Sequence, residues 1–310
     1  MLSYKSDFQG YACKFSPFVP DIVACGVSQY YGIIGNGKLI VLKKNQNSMA
    51  EIKKFDTNDG IFDIAFSEMT QNHIMTVGAG GNLKLWDYQS MSSKPIVSLK
   101  RHNSDIWGCS WGHLTTNLVA TAGSDSSMKV TDITKGNLVT QNIFHNKVAY
   151  SCSWHPTLSS VIASTSADGT CKLFDITSNK VIKSFSTEFE VMTCDFNKYE
   201  NKIAIGLSNG MILIYDLRGD KPVMMLNGHT LTTRKLQFSP FDADTLVSVS
   251  YDMNVNLWNI KQSLPINVFK YHTEFVYGID FNLFEKGTIS TTGWDNSLYV
   301  LNVYSNNLCK

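Results

Sequence analysis

The sequence predicts an all-β chain folded as a seven-bladed β-propeller, and three observations carry that prediction. A short pattern with a polar residue seven positions after a turn residue recurs with anchors at 36, 80, 125, 168, 209, 252 and 295, in steps of 41 to 45 residues. A His stands 23 residues before the anchor four times (His102, His145, His229, His272), and an aromatic follows each His by nine (Trp111, Trp154, Phe238, Phe281). Between the anchors, short runs such as Leu-Val-Ala-Thr-Ala at 118–122 and Val-Ile-Ala-Ser-Thr at 161–165 cluster apolar and β-branched residues, then meet Gly, Asp or Asn turns. About four strands in each such unit is the signature of a propeller blade.

In chain order, the weakest copy runs from Asn36 to Lys43 and the next from Gly80 to Asp87. Strong copies follow at Asp125–Asp132 and Asp168–Asp175, a weaker one at Asn209–Asp216, and strong ones again at Asp252–Asn259 and Asp295–Asn302. With their Gly-His and Trp-Asp elements, these units resemble the WD-repeat family along the whole chain. The repeat fills residues 7 to 302 without a linker, so residues 1–310 are read as one propeller domain. Propellers close by pairing their termini, and the segment Leu2 to Tyr4 is favoured over the tail from Val303 for the closing strand. Gly80 in place of a turn Asp, Thr131 in place of Trp, and Thr187 in place of His leave blades two, three and five less locked.

Composition fits a soluble all-β body: 43% hydrophobic, 17% charged, 21 Gly against 7 Pro, and a formal net charge of +1. That charge gives no reason to expect nucleic acid or an anionic membrane as partner. No apolar run of 18 residues appears, so no direct membrane insertion is expected. The opening Met-Leu-Ser-Tyr-Lys-Ser-Asp has no signal-peptide core, and the closing Asn-Leu-Cys-Lys is neither a peroxisomal tripeptide nor a prenylation box. The expected location is the cytosol.

Seven Cys and seven His could in principle build a metal site, but the register argues otherwise. Cys13, Cys109, Cys152 and Cys194 each lie two residues before a blade aromatic, one equivalent position in four blades, where a free thiol packs as a small hydrophobe. The His residues have a parallel explanation. Thr121, Ser164, Ser248 and Thr291 fall four residues before the turn Asp, and in WD repeats His, Ser or Thr, Asp and Trp form a buried hydrogen-bonded set. Only His229, Ser248, Asp252 and Trp258 make it complete. A Ser-His-Asp trio resembles a hydrolase triad, but its repetition makes it structural. No phosphate loop, zinc box or nucleophile elbow is present, and Asp168-Gly169 and Gly80-Gly81 read as turns, so no catalytic residue, metal or cofactor is expected.

Function therefore has to come from a surface. By propeller register, the residues three and five after the His position, and the residue before the turn Asp, face the top rim of the central channel. Position five gives Tyr11, Phe62, Trp107, Tyr150, Met192, Arg234 and Tyr277, five of them aromatic. Position three includes Asp105, Glu190 and Phe275, the pre-turn position adds Tyr251 and Trp294, and Asp59 stands beside Gly60. Rings with scattered carboxylates suit an amphipathic basic peptide, whose apolar side chains bury on the rings while Arg or Lys meets acid. The competing account is that the rings fill space where seven strands converge.

Beyond the repeat, the chain carries Gly10-Tyr-Ala-Cys-Lys-Phe-Ser-Pro-Phe18, Tyr31-Gly-Ile-Ile-Gly-Asn-Gly37, Asn58-Asp-Gly-Ile-Phe-Asp63, Cys194-Asp-Phe-Asn-Lys-Tyr199, Phe238-Ser-Pro-Phe241 and His272-Thr-Glu-Phe-Val-Tyr-Gly-Ile-Asp280. This set closely resembles the WD-repeat peroxins that serve as receptors for the type-2 peroxisomal targeting signal. The resemblance implies a cytosolic import receptor and no enzyme. It would bind N-terminal amphipathic segments of the form Arg-Leu-x5-His-Leu on peroxisomal matrix proteins. With a co-receptor protein it would deliver them to a peroxisomal docking complex, cycling to the peroxisome. On that reading Asp59, Asp105 and Glu190 take the cargo's basic residues, and Phe62, Trp107, Tyr150, Tyr277 and Trp294 its apolar face. The alternatives are a WD-repeat scaffold or recognition subunit of another complex, which in a nuclear form should show basic clusters, and a propeller enzyme, which needs a channel cluster of acids or His.

Overall fold

Seven four-stranded antiparallel sheets stand around a central axis, as the repeat predicts. The computed structural model describes residues 1–142 and 145–305; Cys309 and the Asn-Leu-Cys-Lys ending lie outside the described residues. Blades one to six occupy 9–57, 61–100, 106–142, 149–186, 191–226 and 233–269, and each meets its strands in sequence order from the axis outward. Blade seven takes three strands from 276–302 and its outermost from Leu2–Lys5.

That outer strand pairs antiparallel with Ser297–Asn302, Leu2 opposite Val300 and Lys5 opposite Ser297. Its Leu-Ser-Tyr-Lys sequence alternates half-buried and exposed positions, as a strand with one packed face requires. Leu2 and Tyr4 pack against Phe15, Leu298 and Val300, while Lys5 Nζ donates to the Asp295 carbonyl.

Adjacent blades are glued face to face by apolar side chains. Between blades one and two, for example, Leu39, Val41 and Phe55 meet Ile61, Phe66 and Trp86. Cys13, Cys109, Cys152 and Cys194 lie in such layers as buried free thiols. Burial raises the Cys152 and Cys13 thiol pKa values far above the ordinary range, so they sit as neutral packing groups.

Hydrogen-bonded sets lock the strong blades laterally. In blade six His229 Nδ1 donates to Asp252 at 2.9 Å, its Nε2 meets Ser248 Oγ at 2.7 Å, and Trp258 Nε1 donates to that hydroxyl at 2.8 Å. A carboxylate can only accept, so Asp252 fixes the imidazole tautomer and leaves Nε2 to accept from Ser248. Blades three, four and seven repeat the His–Asp and His–Ser/Thr links through His102, His145 and His272. In blade seven the Tyr271 hydroxyl meets Thr291, doing the work of the missing Trp. Blade two, without a His, keeps the Trp86 Nε1 to Thr76 bond at 2.9 Å.

Candidate functional site

One backbone device recurs on every inner strand. The antiparallel register between the first two strands of each blade slips by one residue at the same place: between Gly10 and Ala12, Ile61 and Asp63, Ile106 and Gly108, Ala149 and Ser151, Val191 and Thr193, Thr233 and Lys235, and Val276 and Gly278. The residue left out of the ladder is Tyr11, Phe62, Trp107, Tyr150, Met192, Arg234 or Tyr277. A bulge bends the strand and re-aims the extra side chain. Seven bulges therefore turn seven side chains toward the upper mouth of the channel, the end at which the inner strands begin.

Most of those side chains join a continuous aromatic cup. Trp107 stacks on Phe62 with centroids 4.6 Å apart and planes 10° apart; Phe62 meets Tyr11 at 5.2 Å, and Tyr11 meets Tyr277 at 4.8 Å. Tyr277 carries Trp294 on a stacked contact of 4.9 Å and Tyr251 at 5.2 Å, and Phe275 closes the chain against Tyr251 and Trp294. The floor is sealed: Tyr11, Phe62 and Tyr277 are only 3%, 3% and 6% exposed. Space-filling thus accounts for much of Phe62 and Tyr277, and contact surface is offered chiefly by half-buried Trp107, Trp294, Tyr251 and Phe275. Tyr150 stands apart on blade four. Its hydroxyl donates to Glu190 at 3.1 Å, and burial together with that carboxylate pushes the phenol pKa up to about 12.

The three carboxylates differ. Asp59 is engaged by Lys84 Nζ at 3.0 Å and Asn82 Nδ2 at 3.3 Å. Among the described residues Asp105 accepts only the Gly80 backbone N–H, at 3.0 Å, and Glu190 only the Tyr150 hydroxyl. Among the described residues no cation pairs with Asp105 or Glu190, and both side chains are part-exposed at the rim. These two are the rim acids free to meet an incoming base.

A lip on blade one was not assigned from the sequence. The turn Tyr30–Gly32 folds back so that Tyr31 packs edge-on against Trp294 at 5.0 Å, and the Tyr11 hydroxyl donates to the Tyr31 carbonyl. Gly32 has φ +67°, and a Cβ there would come within 2.6 Å of the Phe62 ring, so only glycine allows this approach. Ile33 and Ile34 beyond it are 82% and 69% exposed. The signal was available, because Tyr31-Gly-Ile-Ile-Gly is one of the segments outside the repeat.

Among the described residues no three His, Cys, Asp or Glu side chains stand together to hold a metal, and no helix is long and apolar enough to cross a membrane. A cavity of about 210 Å³ opens at the lower mouth, but the charged groups around it are paired with one another.

Residues 109–283 match the family model described as the Nucleolar protein 10-like, N-terminal domain, a β-propeller family. Curated relatives align along nearly the full length. A mouse protein named "Peroxisomal targeting signal 2 receptor" is 34% identical over 298 residues, covering 94% of this chain and 93% of the relative. One of the same name from Dictyostelium discoideum is 37% identical, covering 93% of each. One from Saccharomyces cerevisiae is 27% identical, covering 97% and 99%.

Proposed function

The chain belongs to the peroxisomal targeting signal 2 receptor family, and we propose that it is itself such a receptor, a single non-enzymatic propeller domain that seats its cargo segment in the aromatic cup. The ligand is the N-terminal amphipathic, basic targeting segment of matrix proteins, of the form Arg-Leu-x5-His-Leu. As a helix, nine residues span about 13.5 Å and present one apolar stripe. Trp107 and Trp294 take that stripe over the floor of Phe62 and Tyr277, Tyr150 borders it, and the cargo's cations meet Asp105 and Glu190, with Asp59 at the edge beside Lys84. The receptor works from the cytosol with a co-receptor, hands cargo to the peroxisomal docking complex and cycles.

The observation that carries this reading is the coincidence, on one rim, of a seven-ring apolar cluster and two carboxylates that meet no cation among the described residues. Aromatic anchors ringed by unpaired charge are the composition of a peptide-binding hot spot. The test is fluorescence polarisation with a labelled Arg-Leu-x5-His-Leu peptide and an Arg→Glu control, with and without a candidate co-receptor. Saturable binding lost with the control is expected. Failure to bind in either condition would return the chain to a general propeller scaffold.

A further inference from the structure

A cation sits in the cup proposed to receive a cation. Arg234 is the bulge residue of blade six, on the inner strand Thr233–Phe238, and is 6% exposed. Its guanidinium carbon lies 5.1 Å from the Tyr277 ring centroid. Among the described residues its five N–H donors meet no hydrogen-bond acceptor and no carboxylate lies within ion-pair distance, so the Tyr277 ring is its one partner. Its charge also opposes the burial-driven rise of the Tyr11, Tyr150 and Tyr277 phenol pKa values. A guanidinium buried without acceptors is costly, and contact with one ring repays only part of that cost.

The topology gives that cation a direction. In a ring of seven, three steps is the greatest possible separation, and blade six is three steps from blade two and three from blade three. Asp59 and Asp105 precede the inner strands of blades two and three. The charges are spread unevenly: Asp59 and Asp105 lie across the cup from Arg234, while Glu190, ahead of the inner strand of blade five, is one blade from it and is held by the Tyr150 hydroxyl. A helix bound across the cup brings two unlike ends: a basic N-terminal end, and a C-terminal end whose last carbonyls lack partners and carry partial negative charge.

We propose that Arg234 receives the oxygen acceptors at the C-terminal end of the bound targeting helix, fixing one polarity in which the cargo's N-terminal Arg lies toward Asp105 and its carboxyl end toward blade six. This rests on the reading of the cup as the cargo seat. Arg234 is a specificity residue in this arrangement, rejecting reversed or unfolded segments that offer a base to blade six.

The test compares two peptides ending directly after His-Leu, one with a free carboxylate and one amidated, each labelled at an x position. Both are titrated by polarisation against the full chain and its Arg234→Met and Arg234→Lys variants, with melting temperatures as the folding control. Wild type should prefer the carboxylate peptide several-fold. Arg234→Met should bind both about tenfold more weakly and lose the preference, because the coupling between the two changes is the interaction itself. Arg234→Lys should keep the preference at reduced affinity. If acceptors come from main-chain carbonyls alone, the amide peptide still weakens in Arg234→Met; if only the carboxylate is recognised, the amide peptide is indifferent and the helix-end assignment fails. Equal or tighter binding by a folded Arg234→Met would also overturn it, showing that Arg234 merely repels bases. Should Arg234→Met not fold, the folded Arg234→Lys variant carries the test, and binding of both peptides as tightly as by wild type overturns the proposal. A wild type that binds neither peptide sinks the cargo-seat reading instead.

Discussion

The two mouths of the channel are lined by the same seven strands, yet they treat charge in opposite ways. At the lower mouth Asp280 accepts Lys14 Nζ at 2.7 Å, Gln237 Nε2 at 3.0 Å and the Phe15 N–H at 2.8 Å, tying blade seven to blade one. Asp63 takes the Cys109 N–H and, across the channel, Lys235 at 2.7 Å; Asp195 takes the Phe238 N–H and Lys198. Burial works against Lys14, but Asp280 outweighs it and holds the ammonium above its ordinary pKa. At the upper mouth Asp105, Glu190 and Arg234 have no ion-pair partner among the described residues, and rings line the space beside them. Charge satisfied within the chain is a fastener. Charge left open beside an apolar floor is where a ligand completes the set.

If that division is right, substitutions in the two mouths must separate binding from stability. The largest expected effect is Asp105→Arg, which puts a cation where the cargo's base should land. Peptide affinity should fall at least about a hundredfold, roughly 3 kcal/mol, while stability stays within about 0.5 kcal/mol because the side chain is half-exposed. Polarisation and urea denaturation on the same preparation decide it, and unchanged affinity would remove Asp105 from the site. Asp280→Ala should show the reverse. It orphans Lys14 and the Phe15 N–H and should cost about 2–3 kcal/mol in unfolding free energy, with the folded fraction binding peptide normally. A binding defect at full stability would break the comparison.

How much of this could be read from the sequence follows from which interactions are periodic. Seven blades were legible because His102, His145, His229 and His272 keep one spacing to their Asp partners, and the structure bonds each pair at 2.8 to 3.0 Å. The rim positions were legible for the same reason, since Phe62, Trp107 and Tyr277 share one register. The bulges that aim them were not, because a one-residue slip is a property of two paired strands and leaves no mark on either alone. Nor was the engagement of Asp59 by Lys84, 25 residues away, or the sealing of Phe62 beneath Gly32. Nor was the place of Tyr150, which stays outside the ring cluster with its hydroxyl bonded to Glu190.

A smaller effect sharpens the same comparison within the lateral locks. Asp252 accepts the Nδ1–H of His229 and the N–H groups of Thr230 and Asn254, all on blade six or the loop that leads into it. Asp252→Ala should cost about 1–2 kcal/mol, the usual toll for buried donors left open, and should leave peptide affinity unchanged even though Arg234 is on the same blade. Differential scanning calorimetry together with peptide titration checks both halves. If affinity fell in step with stability, the cup would depend on the lock behind it and the two regions would not be separable.

The smallest effect is the dependence of the locks on pH, and its sign differs between their two members. Burial lowers the His102 and His145 pKa values, more than their Asp partners raise them, so both rings are neutral in the fold. The unfolded chain protonates such rings near 6.5; it therefore binds more protons than the fold as pH drops below that value, and stability declines. The carboxylates act lower. Burial alone would raise Asp168, but hydrogen bonds from Thr170 and the Asn146 N–H, with His145, pull it down to about 2, and Asp125, Asp252 and Asp295 are likewise lowered. Their contribution is complete above the unfolded value near 4 and fades as pH falls from there toward 2. Urea midpoints should thus be level from pH 8 to 7, sag gently between 6.5 and 5, and drop more steeply below 4. In His145→Gln, which keeps a polar partner for Ser164 and cannot protonate, the sag above pH 5 should shrink while the acid limb remains. An unchanged profile in that variant would take the upper transition away from the blade histidines.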